Sequence, residues 1–168
     1  MADADMTLFD EFVVDRIASL YRYAFVLTGN RHDAEDLVQE ALVRTGLAWR
    51  SVRRKDSPER YVRTVMARLM VNRWRRPRRE RLMADVPDRG VEDAELARVS
   101  DDAVLDAAIN ALPPGMRAVL VLRYVDQLSE AETAAVLGCR PGTVKSQAAR
   151  GLAKLRVMLE REEPTWTS

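Results

Sequence analysis

Residues 143–150 include side chains that can hydrogen-bond to nucleic acid. On a helical wheel, Ser146 and Arg150 point away from an apolar stripe, and Thr143 and Lys145 lie near the first turn. Hydroxyl and guanidinium groups bind base edges in the major groove, while basic side chains also hold phosphates. A solvated helix face can carry the same residues, so this pattern favours DNA binding only together with the elements around it.

A helix-turn-helix motif, two helices joined by a tight turn, is predicted to position these side chains. Ser129 and Glu132 form a capping box, in which each side chain satisfies a free backbone amide of the first helix. Gly138 can adopt the left-handed conformation that ends this helix, and Pro141 suits the first position of the next. Close packing in the first helix is expected from Ala131, Ala134, Ala135 and Leu137. The expected buried stripe of the second helix is Val144, Ala148, Leu152 and Leu155.

Two amphipathic helices are predicted near the N-terminus. Apolar residues at three- and four-residue steps predict the first from Asp10 to Leu27, closed by Gly29 and Asn30. Asp33 is expected to cap the second helix. The expected apolar face of that helix consists of Ala34, Leu37, Val38, Ala41, Leu42 and Leu47. Its opposite face carries Asp36, Gln39, Glu40 and Arg44.

An arginine-rich segment follows these helices. Ser51–Pro58 is predicted to be a polar loop and Glu59–Arg76 a helix with one apolar face. That face is expected to contain Val62, Val65, Met66, Leu69 and Met70. The arginines on the other faces are Arg60, Arg63, Arg68, Arg73, Arg75 and Arg76. Tyr61 and Trp74 lie among them, which is typical of single-stranded nucleic-acid binding, although either ring can instead pack against the first helices.

Charge is strongly segregated along the chain, although the whole protein carries only +1. Residues 50–81 have a net charge of +10, whereas residues 1–49 and 82–106 have −5 and −6. A chain that needs charge only for solubility would mix its signs. The isolated basic block therefore indicates a polyanionic partner.

Composition restricts the fold and function classes. Apolar residues make up 47% of the chain and aromatic residues only 6%, so we predict an all-α protein. The single cysteine excludes an internal disulfide, and no Cys or His spacing indicates a metal site. Without a phosphate-binding loop or a matched catalytic pair, we expect no enzymatic activity, cofactor or small-molecule substrate. No apolar run reaches the ~20 residues that cross a bilayer, so we expect a cytoplasmic protein without a membrane partner.

An acidic, weakly periodic stretch divides the sequence. Residues 78–102 have the composition of a flexible linker. We therefore predict two small helical domains, 1–77 and 103–168, joined by this acidic linker. The second domain is expected to begin with a helix from Ala103 to Leu112 and to end in a frayed tail.

Two segments resemble a known family. LPPGMRAVLVLRYVDQLSEAETAAVLGCRPGTVKSQAARGLAKLR is similar to region 4 of the extracytoplasmic-function (ECF) sigma factors of bacterial RNA polymerase. DAEDLVQEALVRT resembles the core-binding helix of their region 2. The resemblance covers roughly residues 8–160 in the order of the family. It implies a region 2 helical bundle and a region 4 helix-turn-helix bundle in a sigma factor that directs core polymerase to promoters.

The resemblance also assigns roles to positions of this sequence. The surface it implies for the clamp helices of core polymerase is Asp36, Leu37, Gln39, Glu40 and Val43. The residues it implies for melting and holding the −10 promoter element are Arg53, Arg54, Lys55, Arg60, Tyr61, Arg63, Arg68, Asn72, Trp74 and Arg75. Those it implies for the −35 element are Arg140, Thr143, Lys145, Ser146, Gln147 and Arg150. The implied partners are core RNA polymerase, through its clamp helices and flap region, promoter DNA and an anti-sigma protein.

Two other classes of function fit parts of the sequence. A free-standing helix-turn-helix regulator would bind operator DNA as a dimer without polymerase, and would leave the basic block and the DAEDLVQEAL surface unexplained. A helical protein-interaction module would bind its partner without DNA and with little dependence on salt.

Overall fold

A computed structural model describes residues 2–55, 57–75 and 103–162. Within these ranges the chain forms eight α-helices, one π-helical turn and no strand, which confirms the all-α prediction. The chain divides into two compact units, unit 1 at Met1–Arg73 and unit 2 at Trp74–Ser168. The predicted linker at 78–102, the helix end at Pro77 and the predicted frayed tail lie outside the described residues.

Four helices begin in unit 1, namely α1 Ala2–Thr28, α2 Arg31–Leu47, α3 Trp49–Val52 and α4 Pro58–Arg75. The predicted start of α1 at Asp10 is wrong, because the helix already begins at Ala2. The predicted loop start at Ser51 is also wrong. Ser51 belongs to α3, whose Trp49 and Val52 are buried in unit 1.

The turn between α1 and α2 forms at Gly29 and Asn30, as predicted, whereas the N-cap of α2 is not the predicted residue. Gly29 has a φ of 80°, in the left-handed region that favours glycine. Asn30, and not Asp33, is the N-cap of α2, since its side-chain oxygen accepts a hydrogen bond from the Asp33 amide at 2.8 Å. The Asn30 side chain also donates to the Asp33 carboxylate at 2.6 Å, so Asp33 supports the cap from the first turn.

An aromatic cluster fixes the N-terminal part of α1 against α3. The rings of Phe9 and Phe12 each lie 5.2 Å from the Trp49 ring, the first in an edge-on arrangement. Phe9 also packs over Gly46, where an added Cβ would come within 3.3 Å of its ring. These contacts explain why α1 extends beyond the segment whose periodicity predicted it.

The buried face of α2 differs from the predicted apolar face at its C-terminal end. Four of its six predicted members are buried, and Leu42 is half-buried. Leu47 is 88% exposed, so its predicted burial is wrong. The buried positions are Ala34, Leu37, Val38, Ala41 and the unpredicted Thr45, whose hydroxyl donates to the Ala41 carbonyl at 2.8 Å.

Unit 2 contains α5 Ala103–Asn110, α6 Pro114–Leu120, a π-helical turn at Val121–Val125, α7 Glu130–Leu137 and α8 Pro141–Glu162. The predicted helix end at Leu112 is two residues too late, because α5 ends at Asn110. Arg117 on α6 is only 3% exposed, and its guanidinium donates to the Asn110 and Leu112 carbonyls at 3.0 Å each. The buried arginine therefore satisfies carbonyl groups where α5 ends.

The packing of α8 differs from the predicted stripe after its second turn. Val144 and Ala148 are buried as predicted, and Leu155 is half-buried. Leu152 is 43% exposed, because Gly151 faces the core instead and approaches the buried Leu120 so closely that an added Cβ would lie 3.0 Å from it. In α7 the predicted close packing is wrong for two alanines, since Ala134 and Leu137 are buried and Ala131 and Ala135 are exposed.

Candidate nucleic-acid interface

The local signals that begin and end α7 are all present. Ser129 and Glu132 form both bonds of a capping box, and Gly138 ends the helix in the left-handed conformation with φ 63° and ψ 40°. Pro141 is the first residue of α8. The predicted helix-turn-helix is therefore confirmed at each of its boundaries.

The first turns of α8 present an outward polar face. Five of the six residues assigned to −35 recognition are exposed, namely Arg140, Thr143, Lys145, Ser146 and Arg150. Gln147 is half-buried at the edge of this face. Val144 and Ala148 anchor the opposite side of the helix in the core of unit 2. The arrangement leaves hydroxyl, ammonium and guanidinium groups available to bases and phosphates.

A second polar face runs along α4 in unit 1. Arg60, Arg68 and Asn72 are exposed, and Tyr61 is half-buried beside them. The Lys55 ammonium lies 5.1 Å from the centre of the Tyr61 ring, a cation–π contact that joins the preceding loop to the helix. Arg54 is also exposed in that loop. Trp74 and Arg75, which the resemblance assigned to the same function, belong to the last turn of α4, but the structure describes only their backbone.

Arg63 is placed differently from the rest of the predicted −10 set. Its guanidinium pairs with Glu59 at 2.7 Å and lies 5.0 Å from the centre of the Tyr23 ring on α1. Glu59 in turn pairs with Arg16 at 3.3 Å and accepts a hydrogen bond from Ser19. Arg63 therefore joins α4 to α1 and does not share the outward face of Arg60 and Arg68.

Arg53 is exposed, but it is also held within unit 1. The carboxylate of Asp5 pairs with Arg50 at 3.0 Å and with Arg53 at 3.1 Å. Asp5 lies in the part of α1 that the sequence did not predict to be helical, so sequence reasoning missed this contact. The one sequence feature that indicated such a pairing was the opposite charge of the acidic N-terminus and the basic segment that contains Arg50 and Arg53.

The polar face of α2 is the surface assigned to core polymerase. Asp36, Gln39 and Val43 are exposed, and Val43 is 64% exposed. Leu37 is fully buried in the core of unit 1, so we remove it from this surface and place it beneath as support. Leu47, which the sequence analysis had placed on the buried face, extends the exposed strip by one turn beyond Val43; their four-residue spacing was the signal that could have shown this.

Glu40 has two basic partners on this surface. One carboxylate oxygen accepts a hydrogen bond from Arg73 at 2.8 Å, and the other accepts one from Arg44 at 2.9 Å. The hydrogen bond from Arg73 is the main cause that lowers the pKa of Glu40 below its ordinary value of 4.5; partial burial opposes the shift, and Arg44 reinforces it. The carboxylate is therefore anionic at neutral pH. Sequence reasoning had not connected Arg73 with this surface.

Two other kinds of feature are absent from the described residues. They contain no group of three or more His, Cys, Asp or Glu side chains able to hold a metal ion. None of their helices is long and apolar enough to cross a membrane.

Comparison with known proteins agrees with this arrangement. The family described as Sigma-70 region 2 matches residues 13–80, and that described as Sigma-70, region 4 matches residues 102–155. The RNA polymerase sigma-E factor of Streptomyces avermitilis is 38% identical over 164 residues, which cover 97% of this chain and 91% of that protein. The ECF RNA polymerase sigma factor SigE of Mycolicibacterium smegmatis is 37% identical, with 94% of this chain and 64% of that protein covered.

Two solved structures are similar in fold. CnrH, in complex with the cytosolic domain of CnrY, has a TM-score of 0.58 at 26% identity and covers 96% of this chain and 94% of its own. RpoE in complex with the anti-sigma factor NepR from Bartonella quintana has a TM-score of 0.63 at 22% identity, with coverages of 92% and 98%, and supports the fold alone. From the two region matches and the relatives that cover almost its whole length, the chain belongs to the ECF group of the sigma-70 family, RNA polymerase sigma factors that act in transcription initiation.

Proposed function

We propose that the protein is a dissociable subunit that gives core RNA polymerase its promoter specificity and has no catalytic activity of its own. The observation that carries this proposal is the outward polar face at the start of α8, presented by a fully formed helix-turn-helix. Arg140, Thr143, Lys145, Ser146, Gln147 and Arg150 would contact the −35 element there. Ser146 and Arg150 would bind base edges, and Lys145 would bind the phosphate backbone.

Unit 1 would supply the contacts to the opened −10 element and to the polymerase. The exposed residues Arg60, Arg68 and Asn72, with Tyr61, would bind the phosphates and stack on the bases of a single strand. Asp36, Gln39, Glu40 and Val43 would dock on the clamp helices, and unit 2 would contact the flap region. Arg54 and Lys55 in the preceding loop and Trp74 and Arg75 at the helix end would add to the strand contacts.

The domains would be 1–77 for polymerase and −10 binding, 78–102 for the linker and 103–168 for −35 binding. Joining two weak DNA-binding modules raises affinity only when both sites can be reached together, so docking on polymerase would turn weak binding into promoter recognition. We place this activity in the cytoplasm. CnrH is bound to the cytosolic domain of CnrY, and this likeness supports a further protein partner for the chain. We assign that role to an anti-sigma protein, as the family resemblance implies, which would bind the chain away from polymerase.

Run-off transcription tests the proposal directly. Purified protein is added to sigma-free core polymerase on genomic DNA fragments, and new transcripts are mapped. Asp36→Arg should abolish them by reversing the charge of the docking surface. Glu35→Arg is the matched control, because Glu35 is the adjacent residue on α2, has 47% exposure against 50% for Asp36, and was not assigned to the surface. It should transcribe like the wild type.

The outcomes separate the alternatives. Specific duplex binding without any binding to core polymerase would refute the proposal and favour a free-standing regulator. Equal loss of transcription in Asp36→Arg and Glu35→Arg would refute the assigned docking surface, since the effect would then follow from total charge.

A further inference from the structure

One ion pair joins the surface proposed for polymerase to the helix proposed for the DNA strand. The Glu40 carboxylate on α2 lies 2.8 Å from the Arg73 guanidinium in the last turn of α4. Both side chains are partly exposed, at 38% and 36%, so a binding partner can reach either of them. Asn72 precedes Arg73 and belongs to the exposed face of α4.

Arg73 is suited to phosphate binding, but its guanidinium is held by Glu40. A planar guanidinium presents paired N–H donors that match the oxygens of a carboxylate or a phosphate. Glu40 accepts one hydrogen bond from Nη2 of Arg73 and neutralises its charge, so a phosphate has to compete with this carboxylate for the guanidinium. Arg73 therefore lies next to the proposed strand-binding face, but its charge is neutralised by Glu40, a residue of the proposed polymerase-binding face.

We propose that Arg73 is a further phosphate-binding residue for the opened strand, and that Glu40 holds it until polymerase docks. This inference rests on the proposed function. A surface that docks on the acidic strip of Asp36 and Glu40 must offer cationic side chains, and one of these would take the place of Arg73 at the Glu40 carboxylate. Arg73 would then be available to a phosphate of the strand.

Linkage requires the effect to be reciprocal. Polymerase docking and strand binding each break the Glu40–Arg73 ion pair. Once one of the two partners has bound, the other binds without the free-energy cost of breaking that pair. The pair is partly exposed, and such pairs contribute little, so the coupling should change affinity by up to about fivefold. The number of phosphate contacts is the sharper measure, since each contact adds about 0.7 to the slope of log affinity against log salt for a single strand.

The first arm of the test uses the free full-length protein and a fluorescent oligothymidine of about 16 nucleotides. Affinity is measured between about 50 and 200 mM salt. Glu40→Gln should steepen the salt slope by about 0.7 through release of Arg73. The double variant Glu40→Gln, Arg73→Gln should return to the wild-type slope, and Arg73→Gln alone should match the wild type.

Glu35→Gln is the matched control for this arm. It makes the same charge change on the same helix and also removes an ion pair with an arginine, that of Arg31 at 3.1 Å. It should leave the slope unchanged. The inference is overturned if Glu35→Gln steepens the slope as much as Glu40→Gln does, or if the steeper slope persists in the double variant, because Arg44 or total charge would then be responsible.

The second arm repeats the titration with the protein bound to core polymerase. Arg73→Gln should now lower strand affinity and make the slope shallower by about 0.7, an effect absent from the free protein. An Arg73→Gln complex that binds the strand like the wild type overturns the inference. If the wild-type chain does not bind polymerase, the proposed function fails, while the first arm still decides whether Glu40 restrains Arg73.

Discussion

Replacing Ser129 by Ala should destabilise unit 2 without touching the proposed DNA-binding face. The Ser129 hydroxyl accepts a hydrogen bond from the Glu132 amide at 3.1 Å, and the Glu132 carboxylate accepts one from the Ser129 amide at 2.7 Å. The substitution removes the first bond and leaves the second, so we expect the loss of one cap, about 1 kcal/mol. For a unit of this size, that corresponds to a fall in Tm of about 4–8 °C.

Ser146→Ala is the matched substitution on α8. Ser146 is exposed, and its hydroxyl donates only to the Thr143 carbonyl one turn earlier, at 3.1 Å. Its loss should leave the free energy of unfolding within about 0.5 kcal/mol of the wild type. Affinity for a −35 duplex should instead fall by about 1 kcal/mol, or roughly fivefold, from the loss of one polar contact.

Urea denaturation followed through the NMR amide signals of unit 2 measures the stability of both variants, and duplex titration with polymerase-bound protein measures their affinity. Ser129→Ala should lower the stability of unit 2, whereas Ser146→Ala should lower the affinity for the duplex and leave the stability nearly unchanged. The reasoning is refuted if Ser129→Ala unfolds at the wild-type urea concentration, or if Ser146→Ala destabilises unit 2 as much as Ser129→Ala does.

Three further predictions concern packing and pH. Trp49→Ala should lower the free energy of unfolding of unit 1 by about 3–5 kcal/mol. Trp49→Phe should lower it much less, because it keeps an aromatic ring and the buried indole N–H that it removes has no hydrogen-bond partner among the described residues. Equal stabilities of the two variants in urea denaturation of unit 1 would contradict this. Gly142→Ala should raise the Tm, since an added Cβ meets nothing within 4 Å, whereas Gly151→Ala should gain less or lower it, since its Cβ would lie 3.0 Å from Leu120. Because the pKa of Glu40 is lowered in the folded state, its carboxylate stabilises the protein at pH values above its unfolded pKa, and this contribution is lost as the pH falls through the folded value. Urea midpoints measured from neutral pH to below 4.5 should therefore fall less in Glu40→Gln than in the wild type, and parallel curves would show that the pair contributes nothing.

The ends of the helices in the helix-turn-helix could be predicted because their signals are local. A capping box satisfies amides within its own first turn, and the left-handed conformation at Gly138 depends mainly on the absence of a side chain. The family could likewise be predicted, because its motifs are contiguous in the sequence. The start of α1 could not be predicted in this way, because Phe9 is fixed by Trp49, a partner distant in sequence.

The extent of buried faces was less predictable than their existence. Apolar residues at helical spacing indicated a buried stripe on both α2 and α8. In α2 the last residue of the stripe, Leu47, is exposed, whereas in α8 the exposed residue is Leu152, although Leu155 beyond it is half-buried. A helical pattern fixes which residues share a face, but the neighbouring helices decide which part of that face is buried.

By itself, the sequence determined the helical class, the helix-turn-helix and the set of charged side chains available for binding. Only the tertiary structure decided which of those charges face outward and which are paired within the protein. Arg60 and Arg68 remain on the exposed face of α4, while Arg63, paired with Glu59 in its own helix, lies over the Tyr23 ring of α1, and Arg73 pairs with Glu40 of α2. The physical reason is that a long, flexible arginine binds the carboxylate within its reach, and folding brings that carboxylate from a distant helix in the case of Arg73.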